Sequence, residues 1–328
     1  EIKLTREHPL LTIKGWKPAQ ELAIGSRIAT PRKIPSFGNK EMPEHEIKLL
    51  AYLIAEGHTK RVVLFSNSDN KIINEFRDSL NEFDSTLKLI KEKENHYRIS
   101  SPCWKNEIIE TNNIRNNKGQ FTNLSQNKYQ KRSIRKLIER EGLFGILSKN
   151  KFLSNDILAL KKEKLSLFLN RLFSCDGSIY QSNGYWQMSY ACSSEKMIRQ
   201  IQNLLLRFGI LSKLRDKKIR LNDKIFRAFE LVLNEANSLM FMNQIGFFGK
   251  KEERQKVSCV EIAQKIKNPN IDTIPQEFWE MYKPQNWAKI GRQLGYAHPK
   301  AMRERIHYAP SRQTLLQIAE VEQNNPLQ

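Results

Sequence analysis

Hydrophobic positions follow two different periods along the chain. Residues 4–35 contain short apolar runs, and turn formers separate them: Pro9, Gly15, Pro18, Gly25 and Pro31. This alternation predicts a β-rich segment, which we assign to residues 1–40. From about residue 44 onward, apolar residues recur instead at the spacing of amphipathic helices.

The two clearest helical patterns have the same spacing and the same ending. In the first, residues at i, i+3, i+4 and i+7 are apolar: Ile47, Leu50, Ala51 and Ile54. The second repeats that spacing at Leu165, Phe168, Leu169 and Leu172. Each predicted helix closes with an acid and a glycine, LLAYLIAEG (49–57) at Glu56 and LNRLFSCDG (169–177) at Asp176.

The segments that follow these helices also match each other. LFSNSDNKIINEFRDSL (64–80) parallels SYACSSEKMIRQIQNLL (189–205), and each predicts a strand, a polar cap and an amphipathic helix. A basic, strand-like stretch then follows in each copy, at 86–100 and at 212–221. The pattern predicts two copies of a unit of roughly 100 residues, which we place at 41–160 and 161–260.

The last part of the chain has only helical patterns. We assign residues 261–328 to a separate helical module, in which residues 286–321 predict three short helices joined by tight turns. Basic side chains lie along these helices: Arg292, Arg303, Arg305 and Arg312. A small helix-turn-helix-like module that contacts DNA is one interpretation, and an ordinary helical extension is the other.

Charge adds a partner to this picture. The chain carries 55 Lys and Arg against 35 Asp and Glu, a net charge of +20 spread over its whole length. A polyanion bound over a large surface, most simply nucleic acid, accounts for that excess. A basic protein without such a partner remains the alternative.

Composition also excludes several classes of protein. Four scattered cysteines with no CxxC pair indicate neither a zinc site nor a disulfide framework: Cys103, Cys175, Cys192 and Cys259. They favour a reducing compartment, and we expect a cytoplasmic protein. No apolar run approaches the roughly 20 residues of a membrane span, and the first residues lack the apolar region of a signal peptide.

The paired acids are the strongest indication of chemistry. A helix C-terminus carries partial negative charge, so Glu56 and Asp176 stand at locally unfavourable positions. A single acid before a helix-ending glycine is ordinarily just solvated. Two of them, in twin units whose helices can meet, would repel strongly unless a divalent cation binds between them. Hard oxygen ligands suit Mg²⁺, so we predict that both acids bind it.

The two helix ends resemble the twin LAGLIDADG motifs of homing endonucleases. The resemblance implies an α+β fold in which two pseudo-symmetric αββαββα units within one monomer form a saddle over double-stranded DNA. It makes Glu56 and Asp176 the catalytic acids, followed by the closing glycines, and puts Cys175 at a small-residue position. Arg171 departs from the small third residue of the motif.

The resemblance also implies basic side chains around the cleaved phosphates. A lysine is expected at the end of each unit, and we choose Lys151 and Lys251, with Lys149 and Lys250 as neighbours; any of these could instead be solvated or contact a phosphate. On the basic strands, alternation predicts one cationic face toward the major groove. The predicted DNA contacts, including two in the terminal module, are Lys88, Lys91, Lys93, Arg98, Lys213, Arg215, Lys217, Arg220, Arg303 and Arg305.

The first residues have a second resemblance. TREHPLLTIKGW is similar to the intein block that holds a Thr-x-x-His pair, here Thr5 and His8, and the run is similar to inteins inserted in bacterial replicative DNA helicases. We therefore expect residues 1–40 to be a remnant of an intein (Hint) splicing domain, with a host protein as precursor. Glu1 is not a splicing nucleophile and no terminal His-Asn pair is present, so we expect no splicing by this chain alone. A β-turn with an incidental histidine is the alternative.

These observations lead to one main functional hypothesis and two others. The main one is a site-specific, divalent-metal-dependent homing endonuclease, embedded in an intein, that hydrolyses phosphodiesters of double-stranded DNA at a long target. A DNA-binding regulator with the same fold but no nuclease activity is the second, because the chain has a candidate helix-turn-helix module. An RNA maturase is the third, and the intein-like first segment disfavours it.

Overall fold

The computed structural model describes residues 3–60, 62–100, 133–221, 224–265 and 273–322. The chain divides into two compact units. One combines Glu1–Pro31 with Lys265–Gln328, and the other is Arg32–Gln264. The predicted α+β class is confirmed, because the described residues contain both helices and several antiparallel sheets.

The first 31 residues contribute a single hairpin. Strand β1 (Pro9–Thr12) pairs antiparallel with β2 (Gly15–Pro18), and a short 3₁₀ helix, Ala19–Glu21, follows. Gly15 has a φ of 94°, a left-handed conformation that glycine adopts without strain. Residues 22–39 hold no strand, so the predicted β-rich segment 1–40 is wrong beyond this hairpin. In the structure, Ile24 and Ile28 of that stretch are exposed and find no partner strand there.

Arg32–Gln264 contains two halves with the same order of elements. The first half is α1 (Glu44–Glu56), β3 (Gly57–His58), β4 (Leu64–Ser66), α2 (Asn70–Phe83), β5 (Lys88–Lys93), β6 (His96–Ser100) and α3 (Ser133–Arg140). After the short α4 (Asn155–Leu158), the second half is α5 (Lys162–Asp176), β7 (Gly177–Ser182), β8 (Tyr185–Cys192), α6 (Glu195–Arg207), β9 (Lys213–Leu221), β10 (Lys224–Leu233) and α7 (Glu235–Gln244).

Each half forms one four-stranded antiparallel sheet. The strand orders are β3-β4-β6-β5 and β7-β8-β10-β9, so the second strand of each half lies inside its sheet. The matching strand, cap and helix predicted at 64–80 and 189–205 are confirmed. Asp69 caps α2 by accepting from the N–H of Lys71, and Ser194 caps α6 by accepting from the N–H of Met197.

Helices α1 and α5 pack against each other at the centre of this unit. In α1 every residue from Leu49 to Ile54 is buried, because the helix contacts α5, α2 and strands β3 and β4 at once. A helix that is apolar on all sides is stable only when it is enclosed in this way. The α5 helix is buried along one stripe that includes Leu165, Phe168 and Leu172.

Arg171 has a specific partner in this interface. Its Nε and Nη2 donate to Oε2 and Oε1 of Glu75 on α2 at 2.6 and 2.7 Å, and its guanidinium lies 4.3 Å from the centre of the Phe248 ring. The Tyr52 hydroxyl of α1 also donates to Glu75. The arginine thus fits at a small-residue position because the other half supplies a carboxylate for it.

The chain continues as α8 (Lys251–Lys265), which runs through the predicted domain boundary at 260. The other unit, which includes the N-terminal hairpin, contains four further helical elements. They are α9 (Phe278–Met281), α10 (Trp287–Gln293), a 3₁₀ helix (Pro299–His307) and α11 (Arg312–Glu322). The helices enclose a small core of their own: Trp279, Ile290, Met302, Leu315 and Ile318. Three short helices are predicted within 286–321, and three are observed there. The middle one, Pro299–His307, is a 3₁₀ helix, and the other two are α-helices.

The Arg171–Glu75 pair gives a prediction for stability. Arg171→Met leaves the half-buried Glu75 carboxylate without its bidentate partner, and loss of one member of a buried pair costs about 3 kcal/mol of unfolding free energy. Urea denaturation measures this. The control is Arg199→Met, which breaks an exposed pair with Glu195 and should cost under about 0.5 kcal/mol. Equal losses in the two variants would contradict this account of Arg171.

Candidate active site

Both predicted acids end their helices, as predicted. Glu56 is the last residue of α1 and Asp176 the last of α5, and each next residue begins a strand. The glycine after each acid is required by close packing: a Cβ on Gly57 would lie 2.4 Å from the Leu53 carbonyl oxygen, and one on Gly177 would lie 2.5 Å from that of Phe173. The tight exit from each helix therefore needs glycine.

The acids experience each other's charge inside the protein. Burial and, second to it, the negative charge of Asp176 together raise the pKa of Glu56 to about 7, against the opposing effects of Lys251 and Asn67. Burial also raises the pKa of Asp176, although Lys151, Tyr190 and Lys251 favour its charged form. The two carboxylates thus form an electrostatically coupled pair with an incompletely neutralised charge.

Two lysines lie at the same helix ends. Lys151 Nζ donates to the carbonyl oxygens of Ile54 and Gly57 at 2.6 and 3.2 Å. Lys251 Nζ donates to three carbonyl oxygens at the end of α5, those of Phe173, Ser174 and Cys175, at 3.3, 2.6 and 2.8 Å. Burial lowers the pKa of both amines, and their cationic form offsets the partial negative charge of the helix ends.

The neighbouring lysines lie elsewhere. Lys149 is exposed in a 3₁₀ turn, Ser148–Asn150, and Lys250 Nζ donates to the carbonyl oxygen of Ser68 at 2.8 Å. Of the four lysines considered in the sequence, the structure therefore brings Lys151 and Lys251 to the acids.

Each acid has a polar partner that sequence analysis missed. The Asn67 side chain hydrogen-bonds Glu56, and the Tyr190 hydroxyl donates to Asp176 Oδ2 at 3.3 Å. Both partners stand in the second strand of a half or just after it, within the matched segments 64–80 and 189–205. The sequence did contain an indication of both residues. Each lies near the start of one of the two matching segments, and these segments follow directly after the acids.

The terminal segment of each half is held by the other half. Lys250 N donates to Asp69 Oδ2 at 2.6 Å, and Ser194 Oγ donates to the Lys151 carbonyl oxygen at 2.5 Å. Asp69 and Ser194 are the N-caps of α2 and α6, so equivalent positions make these two crossed contacts. Each half therefore helps to fix the segment that carries the other half's lysine.

The donor set fits one kind of metal ion. Within the described residues, no cluster of three or more His, Cys, Asp or Glu side chains exists that would form a complete protein cage. Two carboxylates at the ends of packed helices are the kind of oxygen donor that hard divalent cations prefer. The nearby Cys175 is a free thiol whose pKa is raised by burial, which disfavours thiolate coordination; Cys103 lies outside the described residues.

The basic residues of the second sheet divide between its two faces. Lys213, Arg215 and Lys217 alternate along β9, and cross-strand pairing puts them on the face of Glu230, whose carboxylate lies 2.7 Å from Lys217 Nζ. Arg220 is one residue out of phase, so it lies on the opposite face. The prediction of a single cationic face is wrong for Arg220 because side chains alternate with a strict period of two.

The first sheet shows the same kind of division. Lys88 pairs with Ser100 and Arg98 pairs with Ile90 on one face, where Arg98 Nε lies 2.7 Å from Glu92. Lys91 pairs instead with the buried Tyr97 on the core-side face, so the single-face prediction is wrong here too. An irregularity between Lys91 and Lys93 then shifts the register, and Lys93 pairs with His96.

The remaining predicted residues lie in the unit of the hairpin and terminal helices. Thr5 and His8 are exposed and form a turn, in which His8 N donates to the Thr5 carbonyl oxygen at 3.2 Å. Arg303 is exposed, and the Arg305 guanidinium lies 5.2 Å from the centre of the Tyr296 ring.

Among the described residues, no helix has the length and apolar character needed to cross a membrane.

Comparison with known families identifies one domain. Residues 163–246, which contain α5, the second sheet and α6, match the LAGLIDADG-like domain family. This match includes Asp176 and the basic strand β9. The second half of Arg32–Gln264 is therefore similar to LAGLIDADG-like domains over these residues.

Two curated relatives extend the likeness to most of the chain. The replicative DNA helicase DnaB of Synechocystis sp. is 32% identical over 292 residues, which are 86% of this chain and 31% of the helicase. The replication factor C small subunit of Methanocaldococcus jannaschii is 29% identical over 284 residues, 84% of this chain and 13% of that protein. The chain thus spans less than a third of the length of these relatives.

Two solved structures overlap with the chain weakly. Full-length DUF199/WhiA from Thermatoga maritima has a TM-score of 0.37 at 13% identity, covering 86% of this chain and 93% of that one. I-DmoI in complex with DNA and Mn has a TM-score of 0.35 at 11% identity, covering 62% of this chain and 96% of that one. Scores this low do not establish a common fold.

The acid pair predicts an unusual pH dependence of stability. The folded-state pKa of Glu56, about 7, exceeds its ordinary value of 4.5, so the folded protein binds this proton more tightly than the unfolded chain does. The stabilisation from Glu56 is therefore complete below pH 4.5 and is lost as the pH rises to about 7. Asp176 acts in the same direction.

Thermal denaturation without metal measures this effect. The Tm of the wild type, relative to that of Glu56→Gln, should fall as the pH rises from about 5 to 8, and the glutamine variant should be the more stable protein at pH 8. Added Mg²⁺ should reduce the difference. Parallel Tm profiles for the two proteins would contradict the assignment of a coupled acid pair.

Proposed function

We infer that this chain is a site-specific, divalent-metal-dependent endonuclease of double-stranded DNA. The observation that carries this proposal is the half-buried pair Glu56 and Asp176, placed at the ends of two packed helices with a lysine at each end. Such a pair destabilises the folded protein in the absence of a cation. Locally unfavourable arrangements of this kind are typical of functional sites, here one that binds a cation. The LAGLIDADG-like domain supports the same conclusion.

Phosphodiester hydrolysis needs a polarised phosphate, a positioned water and stabilisation of the leaving oxygen. A divalent ion held by Glu56 and Asp176 would supply positive charge at the phosphate. Lys151 and Lys251 add fixed positive charge on either side, and their carbonyl contacts hold both amines in place. Asn67 and Tyr190 restrict the orientations of the two carboxylates.

The sheets provide a surface for the DNA. Lys213, Arg215 and Lys217 form a cationic row on one face of the second sheet, and Lys88, Lys93 and Arg98 share a face of the first. Rows of this kind neutralise phosphates and let neighbouring polar side chains reach base edges in the major groove. The carboxylate within this row, Glu230, is buried and pairs with Lys217 Nζ at 2.7 Å, so the row offers mainly positive charge to the DNA.

The relatives support the idea of an inserted element. Most of this chain matches less than a third of a helicase and a smaller part of a replication factor C small subunit. A segment shared by two differently named proteins is what insertion into unrelated hosts would produce. We propose that the chain belongs to an intein within a replication protein, and that Thr5 and His8 derive from its splicing domain.

A DNA-binding regulator without nuclease activity is the second candidate. The observation that favours it is the terminal helical module with its own core, which is extra to an endonuclease scaffold. The module and the acid pair are compatible in one enzyme, where Arg303 and Arg305 would extend the DNA contact. Retention of both acids and both lysines favours the nuclease.

The first functional prediction concerns cleavage. The substrate is a plasmid that carries the proposed host gene, from which the segment that encodes this chain has been removed. Glu56→Gln or Asp176→Asn should reduce Mg²⁺-dependent cleavage by about a thousandfold or more, because each removes a charged metal ligand, and DNA affinity should change less than about threefold. Wild-type rates in either variant would refute the metal assignment. Specific binding without cleavage by the wild type would favour the regulator.

The second concerns the terminal module. A chain that ends at residue 264 should bind the same DNA more weakly and protect a shorter footprint, because Arg303 and Arg305 are lost. Cleavage at high enzyme concentration should persist, since both acids and both lysines remain. The matched control is Arg303→Ala with Arg305→Ala in the full chain, which should weaken binding without lowering the Tm. An unchanged footprint from a stable truncated protein would contradict a DNA-contacting role.

A further inference from the structure

Phe65 and Tyr190 occupy equivalent positions in the two halves of the site. Phe65 on β4 pairs directly with Gly57, the glycine after Glu56. Tyr190 on β8 pairs directly with Gly177, the glycine after Asp176. Both side chains have a relative exposure of 0%. At this position, the two halves differ by one buried hydroxyl group.

That hydroxyl reaches an acid. Tyr190 donates to Asp176 Oδ2 at 3.3 Å, and its ring centre lies 4.9 Å from that of Phe173 on the same helix as the acid. The Phe65 ring instead stacks on Phe76 at 4.1 Å, within the core of the first half. The Tyr190 side chain on the neighbouring strand therefore holds the Asp176 carboxylate through a hydrogen bond. The equivalent residue beside Glu56, Phe65, has no hydroxyl that could do the same.

Glu56 is held by an amide with other partners. Asn67, its hydrogen-bonding partner, also accepts from the N–H of Asp69 at 2.7 Å and lies 3.9 Å from the Cys175 sulfur. Glutamate has one more rotatable bond than aspartate, so Glu56 loses more side-chain entropy when it is fixed on a cation. The Asp176 half is the more pre-organised of the two.

The lysines also differ, although this difference does not decide which half acts first. An ammonium group has three protons to donate. Lys251 Nζ uses all three on the carbonyl oxygens of Phe173, Ser174 and Cys175. Lys151 Nζ donates to two carbonyl oxygens at the end of the Glu56 helix, and among the described residues its third proton has no acceptor. Both lysines interact electrostatically with Asp176.

We propose that the two halves cut the two DNA strands at unequal rates, that the Asp176 half acts first, and that Tyr190 is the positioning residue behind this order. The proposal rests on the endonuclease function proposed above. A carboxylate already fixed in direction loses less freedom in the transition state, so its phosphodiester reacts sooner. Nicked DNA should then accumulate as an intermediate before the second strand is cut.

Strand-resolved kinetics test this order. A duplex that spans the junction left when this chain's coding segment is removed carries a different fluorophore on each strand, and single-turnover cleavage by the full chain is followed in Mg²⁺. The wild type should cut one strand about tenfold faster or more. Tyr190→Phe should slow that strand about tenfold, the equivalent of one lost hydrogen bond to a charged group, and leave the other strand within about twofold.

The matched variant and the metal dependence separate positioning from stability. Phe65→Tyr places a hydroxyl at the equivalent position of the other half and should leave the faster strand within about twofold of the wild type. Tyr190→Phe should also raise the Mg²⁺ concentration needed for half-maximal cutting of the faster strand alone. A merely structural loss would lower the Tm and slow both strands by the same factor, which would overturn the proposal.

The remaining outcomes also have one meaning each. Equal rates for the two strands in the wild type would overturn the unequal-halves proposal and leave the endonuclease function standing. Because this ratio is measured in the wild type, it decides the question even if Tyr190→Phe fails to fold. A wild type that cuts neither strand would overturn the proposal together with the function on which it rests.

Discussion

Repulsion between two half-buried carboxylates is the constraint on which the rest of this structure depends. Glu56 and Asp176 stand at the negative ends of two packed helices. Burial disfavours the charged form of both acids, and the charge of Asp176 adds to this effect at Glu56. Packing of α1 against α5 supplies the free energy that holds them there, because both helices bury long apolar faces. The apolar core thus supports an arrangement that is locally unfavourable, as functional sites often require.

The surroundings of the pair limit that cost without removing it. Lys151 and Lys251 cap the carbonyl ends of the two helices, and the crossed contacts of Asp69 and Ser194 fix the segments that carry them. Each half therefore supplies an acid and a lysine but depends on the other half for their placement. The contacts between the halves accord with their forming one compact unit, Arg32–Gln264.

Much of this site was predictable from the sequence, and the failures have physical causes. Helical periodicity located Glu56 and Asp176, because the apolar spacing and the closing glycine are local properties of each segment. The partners Tyr190 and Asn67, and the Arg171–Glu75 pair, depend on which elements meet across the fold, and periodicity carries no such information. The predicted face of Lys91 and Arg220 is wrong, because a shift of one residue in strand register moves a side chain to the opposite face of the sheet. The predicted β-rich start reduces to a hairpin because a strand needs a neighbour as well as a pattern.

The claim that the acids exist to bind a cation is tested most directly by the protons that metal binding displaces. Calorimetric titration of the protein with Mg²⁺ at about pH 6.5, in buffers of different ionisation enthalpy, gives the number of protons released per ion bound. Glu56 is largely protonated there without metal, since its pKa lies at about 7, and coordination requires the carboxylate. We expect release of more than about half a proton per Mg²⁺ in the wild type, and little in Glu56→Gln. Binding of Mg²⁺ with no proton release, or the same release in the glutamine variant, would contradict the account.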